Sequence, residues 1–414
     1  MRNMKSDVYY FTARTYNYEQ SLSSVKGPLA LKKIGFNSKV NKGDKVVIKT
    51  HFGALENVRY LRPSYIRFLC DHVKTLGGVP YVAESCGWGA PEEFTGIHTE
   101  FSGRSAENEY LEVAKIHGFT EETMGAELLM LDGRVGTNVI KQRVNGKRFN
   151  EVLVAGRLEE FDHMVLATHF KGHAMAGFGG ALKNLGIGCV SKGGKVQAHV
   201  GKKFEFDLNA PISDYEACLK ICPTNALREG PDGKIMRDEE KCKYCYMCKS
   251  VCKNNVINTG SSTNEEFITQ MIDNAVGVLD YYGRNKIYYL NYVIDVTWQC
   301  DCTGGSDIPF ISDIGILSSL DPVAVDQSAV DLIHLSHMNH HSILGNIGNI
   351  SKEKPNEWFS YIPRFDSKTN EMDLNPDGKE SKHWEIQLKA AEDIGLGSRD
   401  YNLIEVNIEN KKKN

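Results

Sequence analysis

No segment of the sequence approaches about 18 uninterrupted apolar residues, so no membrane-spanning helix is expected. A basic excess is also missing. The 49 Lys and Arg face 53 Asp and Glu, leaving a net charge of −4, and nucleic acid is therefore not an expected partner. The first residues, MRNMKSDVYYFTARTYNYEQ, hold no apolar signal core, so secretion is not expected and the cytoplasm is the default location. Nor is the composition biased. With 41% hydrophobic, 25% charged and 9% aromatic residues, disordered, collagen-like and low-complexity classes are excluded. At roughly 150 residues per domain, 414 residues suggest about three domains, or one large core with an insertion.

Cysteine, in contrast, is plentiful and clustered. Six of the eleven fall between Cys218 and Cys252, and Cys300 and Cys302 form a C-D-C. In a reducing compartment such clusters read as metal ligands rather than as a disulfide framework. Cys70, Cys86 and Cys189 are scattered, and Cys70 sits in an amphipathic helical pattern as a small core residue.

Strand-like and helix-like segments alternate along the first half. Asp44–Thr50, Pro80–Ser85, Glu127–Leu131 and His163–Thr168 read as strands, with helices from Pro63 to Gly77 and over Ala106–His117. The pattern breaks after Phe206 and resumes with a helix at Asn264–Tyr282, a strand at Lys286–Ile294 and a helix from Pro322 to about His337. Such alternation predicts an α/β fold: a discontinuous, mostly parallel core in residues 1–207 and 261–414. The cysteine-rich residues 208–260 are its insertion, and Asn410–Asn414 is expected to fray.

Cys242, Cys245, Cys248 and Cys252 have the spacing C-x2-C-x2-C-x3-C of ferredoxins, in which the fourth cysteine of one motif ligates the other cluster. Upstream, Cys218-x3-Cys222-Pro223 matches the third and fourth positions of a partner motif, but its first two positions are Ile212 and Tyr215. One 4Fe–4S set is thus complete on paper: Cys222, Cys242, Cys245 and Cys248. A structural zinc site is the alternative. Cys218 and Cys252 remain, and Cys300 and Cys302 are the candidates to complete a second centre with them; otherwise that centre is lost and the C-D-C lines a separate site. Lys241, Lys243, Lys249 and Lys253 surround the complete motif, either as a solvated face or as a dock for an acidic electron carrier such as a ferredoxin.

Outside the cysteines, the segment Thr168–Gly188 stands out. It follows a strand, and in parallel α/β sheets ligands collect at the carboxyl ends of strands. Gly177, Gly179 and Gly180 would offer an anion nest, with His169, Lys171, His173 and Lys183 around it as charges and proton donors. Close glycine packing is the plain alternative. The segment carries no G-x-G-x-x-G fingerprint or Walker lysine motif. Lys49-Thr-His51-Phe-Gly53 would reach the same sheet edge if the two strands are neighbours. His334, His337 and His341 share one helical face, a solvated cluster or a divalent-metal site. Asp321 before Pro322 reads as a helix N-cap.

Taken together, KTHFG at Lys49–Gly53, HFKGHAMAGFGGALKNLGIG at His169–Gly188, SKGGK at Ser191–Lys195, the cysteine-rich insertion, the C-D-C and Asp313–Leu332 resemble the uncharacterised iron–sulfur-centre proteins known as domain of unknown function 362. The resemblance implies a cytoplasmic protein of anaerobes carrying 4Fe–4S centres. Ile212 and Tyr215 depart from the two complete ferredoxin motifs usual there. The expected function is a redox protein that relays electrons from a ferredoxin-like insertion to a small anionic substrate, with His169, Lys171, His173 and Lys183 binding or protonating it. A non-catalytic electron carrier or a metallocluster assembly factor is the alternative.

Overall fold

The buried runs Val46–Ile48 and Met164–Ala167 present apolar side chains to both sides, as strands do when helices cover each face of a sheet. A computed structural model describes residues 5–95, 103–201, 205–207, 209–252, 256–348, 350–353, 355–366, 369 and 371–408. Leu208, Lys253 and Asn410–Asn414 lie outside the described residues.

The central sheet has eight strands: β1 (Ser6–Thr12), β2 (Lys45–Lys49), β3 (Val79–Glu84), β4 (Glu127–Met130), β5 (His163–His169), β6 (Ile287–Val293), β7 (Gly315–Ser319) and β8 (Tyr401–Glu405). Their order is β8-β1-β7-β6-β5-β2-β3-β4. All run parallel except β7, which is antiparallel to β1 and β6. The fold is therefore mixed α/β with a mostly parallel sheet, as expected.

Alternation along the strands builds two cores. Val47, Leu166 and Tyr289 face one side, against the Ala181–Gly186, Asn264–Tyr282 and Pro322–His334 helices. Val46, Ile48, Val165 and Leu290 face the other, against the Pro63–Thr75 helix. Cys70 is fully buried there, a core residue as its pattern predicts. Each such side chain taken out of water contributes about 1.5–3 kcal/mol.

Strands β2, β3 and β4 progress one way across the sheet, and β5 and β6 the other. The direction reverses between β2 and β5, which are paired neighbours with Lys49 opposite Leu166. In open α/β sheets ligands bind beyond the carboxyl ends of the strands at such a reversal. Here those ends carry Lys49, Glu84 and His169.

Three strands of this sheet were not anticipated from the sequence: β1, β7 and β8. The Pro322 helix also ends at His334, three residues early, where the Ser336 hydroxyl turns back onto the Leu332 carbonyl at 2.8 Å. Asp321 caps its start, accepting from Val323 and Ala324 N–H at 2.8 and 2.9 Å. The glycine-rich segment folds into a tight hairpin, Lys171–His173 with Gly177–Gly179, followed by the Ala181–Gly186 helix. The cysteine-rich stretch leaves and re-enters at one place, because Glu205–Phe206 pairs antiparallel with Ile257–Asn258.

Candidate functional site

The hairpin lies directly on the loop that holds the C-D-C. Gly172 N–H donates to the Thr297 carbonyl at 2.8 Å, and a Cβ at Gly172 would stand 2.3 Å from the Trp298 carbonyl oxygen. Only glycine allows this approach. It brings Lys183 Nζ to 3.5 Å from Cys300 Sγ. One ligand atom each from His173, Cys300 and Cys302 lie within 4.8 Å of one another, a spacing at which a soft metal ion could be held.

Asp301, between the two cysteines, turns away from them. Its carboxylate meets His169 Nδ1 at 2.9 Å and Lys171 Nζ at 2.9 Å, with all three side chains almost fully buried. Burial alone would raise this carboxyl, but His169 and Lys171 outweigh it and hold it far below the ordinary range. His169 Nε2 lies 2.8 Å from the Ile294 carbonyl, so both ring nitrogens face acceptors. Lys171 also donates to the His169 carbonyl at 2.7 Å. Two of the four residues expected at a substrate anion, His169 and Lys171, are thus engaged with the chain's own Asp301.

Beside the three glycines of the expected anion nest, the next helix start is already occupied. The N–H groups opening the Ala181–Gly186 helix donate to the chain's own Asp326, from Ala181 at 2.7 Å and Leu182 at 2.9 Å. A Cβ at Gly180 would meet Asp326 Oδ1 at 2.4 Å. The glycines here serve close packing.

His173 and Lys183 do meet Cys300. His173 Nδ1 accepts from Met175 and Ala176 N–H at 3.2 and 3.1 Å, so the neutral ring holds its proton on Nε2. Burial, then Lys183, keeps that ring neutral by pushing its pKa well down. Cys302 donates to Cys300, and together with Lys183 and Lys171 this outweighs burial and holds the Cys300 thiol well below its usual range. Cys302 rises correspondingly, as the donor of that bond and through burial. Burial would lower Lys183, but the two sulfurs outweigh it and raise the ammonium.

Lys49 and His51 reach the same sheet edge. Lys49 Nζ is committed to Glu84 at 2.6 Å and Asn184 at 2.9 Å, which makes it a buried structural ion pair. Sequence reasoning missed Asp301, although its place inside the C-D-C was the available signal. Arg104, whose Nη2 holds the Cys302 carbonyl at 2.7 Å, comes from a loop with no motif to announce it.

In the cysteine-rich stretch, burial raises the proton affinity of the Cys242, Cys245 and Cys248 thiols, and Cys222 adds to it at all three. Ala226 N–H donates to Cys222 Sγ at 3.2 Å, and the backbone at Tyr244, Met247 and Lys249 donates to the other three. Tyr244 and Tyr246 adopt left-handed φ of 53° and 67°, a costly conformation for such residues, and this winds the loop so that its N–H groups point inward. Four inward thiols ringed by N–H donors are a donor set of the kind that suits a 4Fe–4S centre.

Cys218 and Cys252 do not join Cys300 and Cys302. They are bonded to each other as a disulfide, with Cα atoms 5.5 Å apart, and share an apolar cluster with the fully buried Tyr215. The ring of Tyr215 fills space beside this pair, while the C-D-C belongs to the sheet edge. Of the four lysines around the motif, two have partners within the chain, and Lys241 stays largely exposed. Lys249 turns inward to the Ile257 carbonyl at 2.9 Å, and Lys241 pairs with Asp238 at 3.7 Å.

An unbroken line of rings joins the two cysteine sites. Tyr246, between Cys245 and Cys248, stacks on Trp88 at 6.4 Å; Trp88 meets His199 at 4.8 Å; His199 meets Phe267 at 4.6 Å; Phe267 stacks on His173 at 5.9 Å. The three-histidine face, by contrast, does not exist. His337 and His341 lie beyond the helix end, exposed, while His334 packs against Phe359 and Trp384.

Over residues 46–331 the sequence matches the family described as Domain of unknown function (DUF362). No curated protein matches the chain. Among solved structures, the lactate racemase apoprotein from Thermoanaerobacterium thermosaccharolyticum aligns at 13% identity and a TM-score of 0.38, covering 97% of this chain and 83% of that one. Among the described residues, no helix is long and apolar enough to cross a membrane.

Proposed function

Because the chain belongs to the family defined by Domain of unknown function (DUF362), a description that assigns no reaction, we propose from its residues that it is an iron–sulfur redox protein. In this reading the ferredoxin-like segment 208–260 serves a site for a small anionic molecule on the α/β core. Cys222, Cys242, Cys245 and Cys248 would hold a 4Fe–4S centre, which when bound supplies one-electron transfer at a potential set by burial and N–H donors. The remaining work falls to the chain's own groups. Lys183 supplies the positive charge beside Cys300, and neutral His173 offers a hydrogen bond from Nε2–H to the bound molecule. Asp301, with His169 and Lys171, fixes the loop that presents Cys300.

The observation that carries this reading is the ring line from Tyr246 through Trp88, His199 and Phe267 to His173, which makes the two cysteine sites parts of one packed unit. The test is anaerobic purification or reconstitution. Brown protein with about four iron atoms per chain is expected, lost in a Cys242→Ala, Cys245→Ala variant. Colourless, iron-poor protein that retains zinc would overturn the reading.

A further inference from the structure

Cys300 and Cys302 are held for a purpose that their expected role as cluster ligands does not explain. Every residue of the loop is pinned. The Cys300 carbonyl accepts from Thr303 N–H at 3.2 Å and its hydroxyl at 3.0 Å; Asp301 is clamped by His169 and Lys171; the Cys302 carbonyl is held by Arg104 at 2.7 Å. With the central side chain fixed on one side, both thiols are forced to the other and face each other. Lys183 stands at Cys300, and Cys302 is the more exposed of the two.

A metal on the same atoms would come at the expense of contacts the ring already makes. The His173 ring engages two backbone N–H groups through Nδ1, so its proton sits on Nε2, and coordination through Nε2 would move that proton to Nδ1 and break both bonds. The site offers a fixed donor ring, an ammonium and two opposed thiols.

The geometry points to a redox-active dithiol: Cys300 and Cys302 interconvert with a Cys300–Cys302 disulfide by exchange with a small-molecule disulfide, Cys300 being the attacking sulfur. The exchange balances. The Cys300 thiolate attacks one sulfur of the oxidised partner, forming a mixed disulfide and releasing one partner thiolate. Cys302 gives its proton to that thiolate and attacks Cys300 sulfur, so the intramolecular S–S bond forms and the second partner thiolate leaves. Two electrons pass from the pair to the partner, and a reducing dithiol reverses the sequence. This inference does not rest on the iron–sulfur reading and holds with or without a cluster on the other four cysteines.

The experiment equilibrates the full chain, anaerobically, in mixtures of oxidised and reduced dithiothreitol, then alkylates with iodoacetamide. Mass spectrometry reads the tryptic peptide that begins after Lys286, in which Cys300 and Cys302 are the only cysteines. The expected result is a reversible switch of both thiols together, the reduced peptide carrying two carbamidomethyl groups and the oxidised peptide none. Exposed to oxidised glutathione, whose leaving half carries no second thiol, a Cys302→Ser variant should accumulate the mixed disulfide on Cys300 instead. Lys183→Met should slow alkylation of Cys300 about tenfold, the factor that one pKa unit of lost thiolate carries. Cys70, Cys86 and Cys189, at 0% exposure against 4% for Cys300, serve as slow-reacting references within the same digest. Two thiols that stay reduced in every mixture, or that become alkylated only after a chelator strips a metal, overturn the proposal. Iron measured on the same samples reports the cluster separately. The wild-type titration needs no variant to fold.

Discussion

Lys183 Nζ and Cys300 Sγ stand 3.5 Å apart, although 117 residues separate them in the chain. One comes from the helix after the glycine hairpin and the other from the loop after β6, so the contact exists only because β5 and β6 are parallel neighbours. A buried ammonium without a partner would lose its charge, and a buried thiol would keep its proton. Each holds the other in its ionised form. The pair is therefore a property of the sheet order, and disturbing either support should be visible at the sulfur.

Asp301→Asn tests the first support. Removing the carboxylate leaves His169 and Lys171 buried without their counter-charge, and breaking a buried pair from one side typically costs about 3–5 kcal/mol. The expected outcome is a large fall in the denaturation midpoint together with loss of the oriented C-D-C loop. A midpoint within experimental error of the parent would show that the clamp contributes nothing.

Gly172→Ala tests the second. Its Cβ would stand 2.3 Å from the Trp298 carbonyl, a backbone atom that cannot rotate aside. Overpacking of this kind costs about 1–3 kcal/mol, and here the strain displaces the loop that carries Cys300. We expect a lower melting temperature and slower alkylation of Cys300 than in the parent. Unchanged labelling would mean that the hairpin does not position the thiol.

Much of this was legible beforehand, for physical reasons. Fully buried strands such as β2 and β5 write themselves as unbroken apolar runs, and the C-x2-C-x2-C spacing is local. β7 was hidden because Gly-Ile-Leu-Ser-Ser is short and antiparallel pairing leaves no mark in sequence. The charges of His169 and Lys171 were legible, but their partner was not, since only the fold brings Asp301 132 residues along the chain to His169. In the same way the glycines announced close approach without saying that the approaching group is Asp326, not a ligand. Residue types predict the chemistry a segment can do; which groups cancel one another is decided by tertiary contacts.

The pairing of Cys218 with Cys252 predicts the iron stoichiometry. A Cys218→Ser, Cys252→Ser variant, reconstituted anaerobically, should keep the parent's iron content and visible spectrum, because neither thiol belongs to the four-cysteine set. Loss of about half the iron would mean that a second centre forms on these residues after all.

Acid sensitivity follows from His334. Its ring lies between Phe359 and Trp384, 5.7 and 5.0 Å away, and burial lowers its pKa to about 4. Unfolded, the same ring titrates near 6.5. Between these values the unfolded chain binds the extra proton, so stability is complete above about pH 6.5 and declines as the pH falls toward 4, where the loss levels off. The difference corresponds to roughly 3 kcal/mol at most. His334→Phe keeps an aromatic ring in the site and removes the titration. Its denaturation midpoint should therefore depend less on pH across that window than the parent's, while the two converge in slope above pH 7. Parallel curves through the whole window would show that another buried group, such as His199, governs the acid limb.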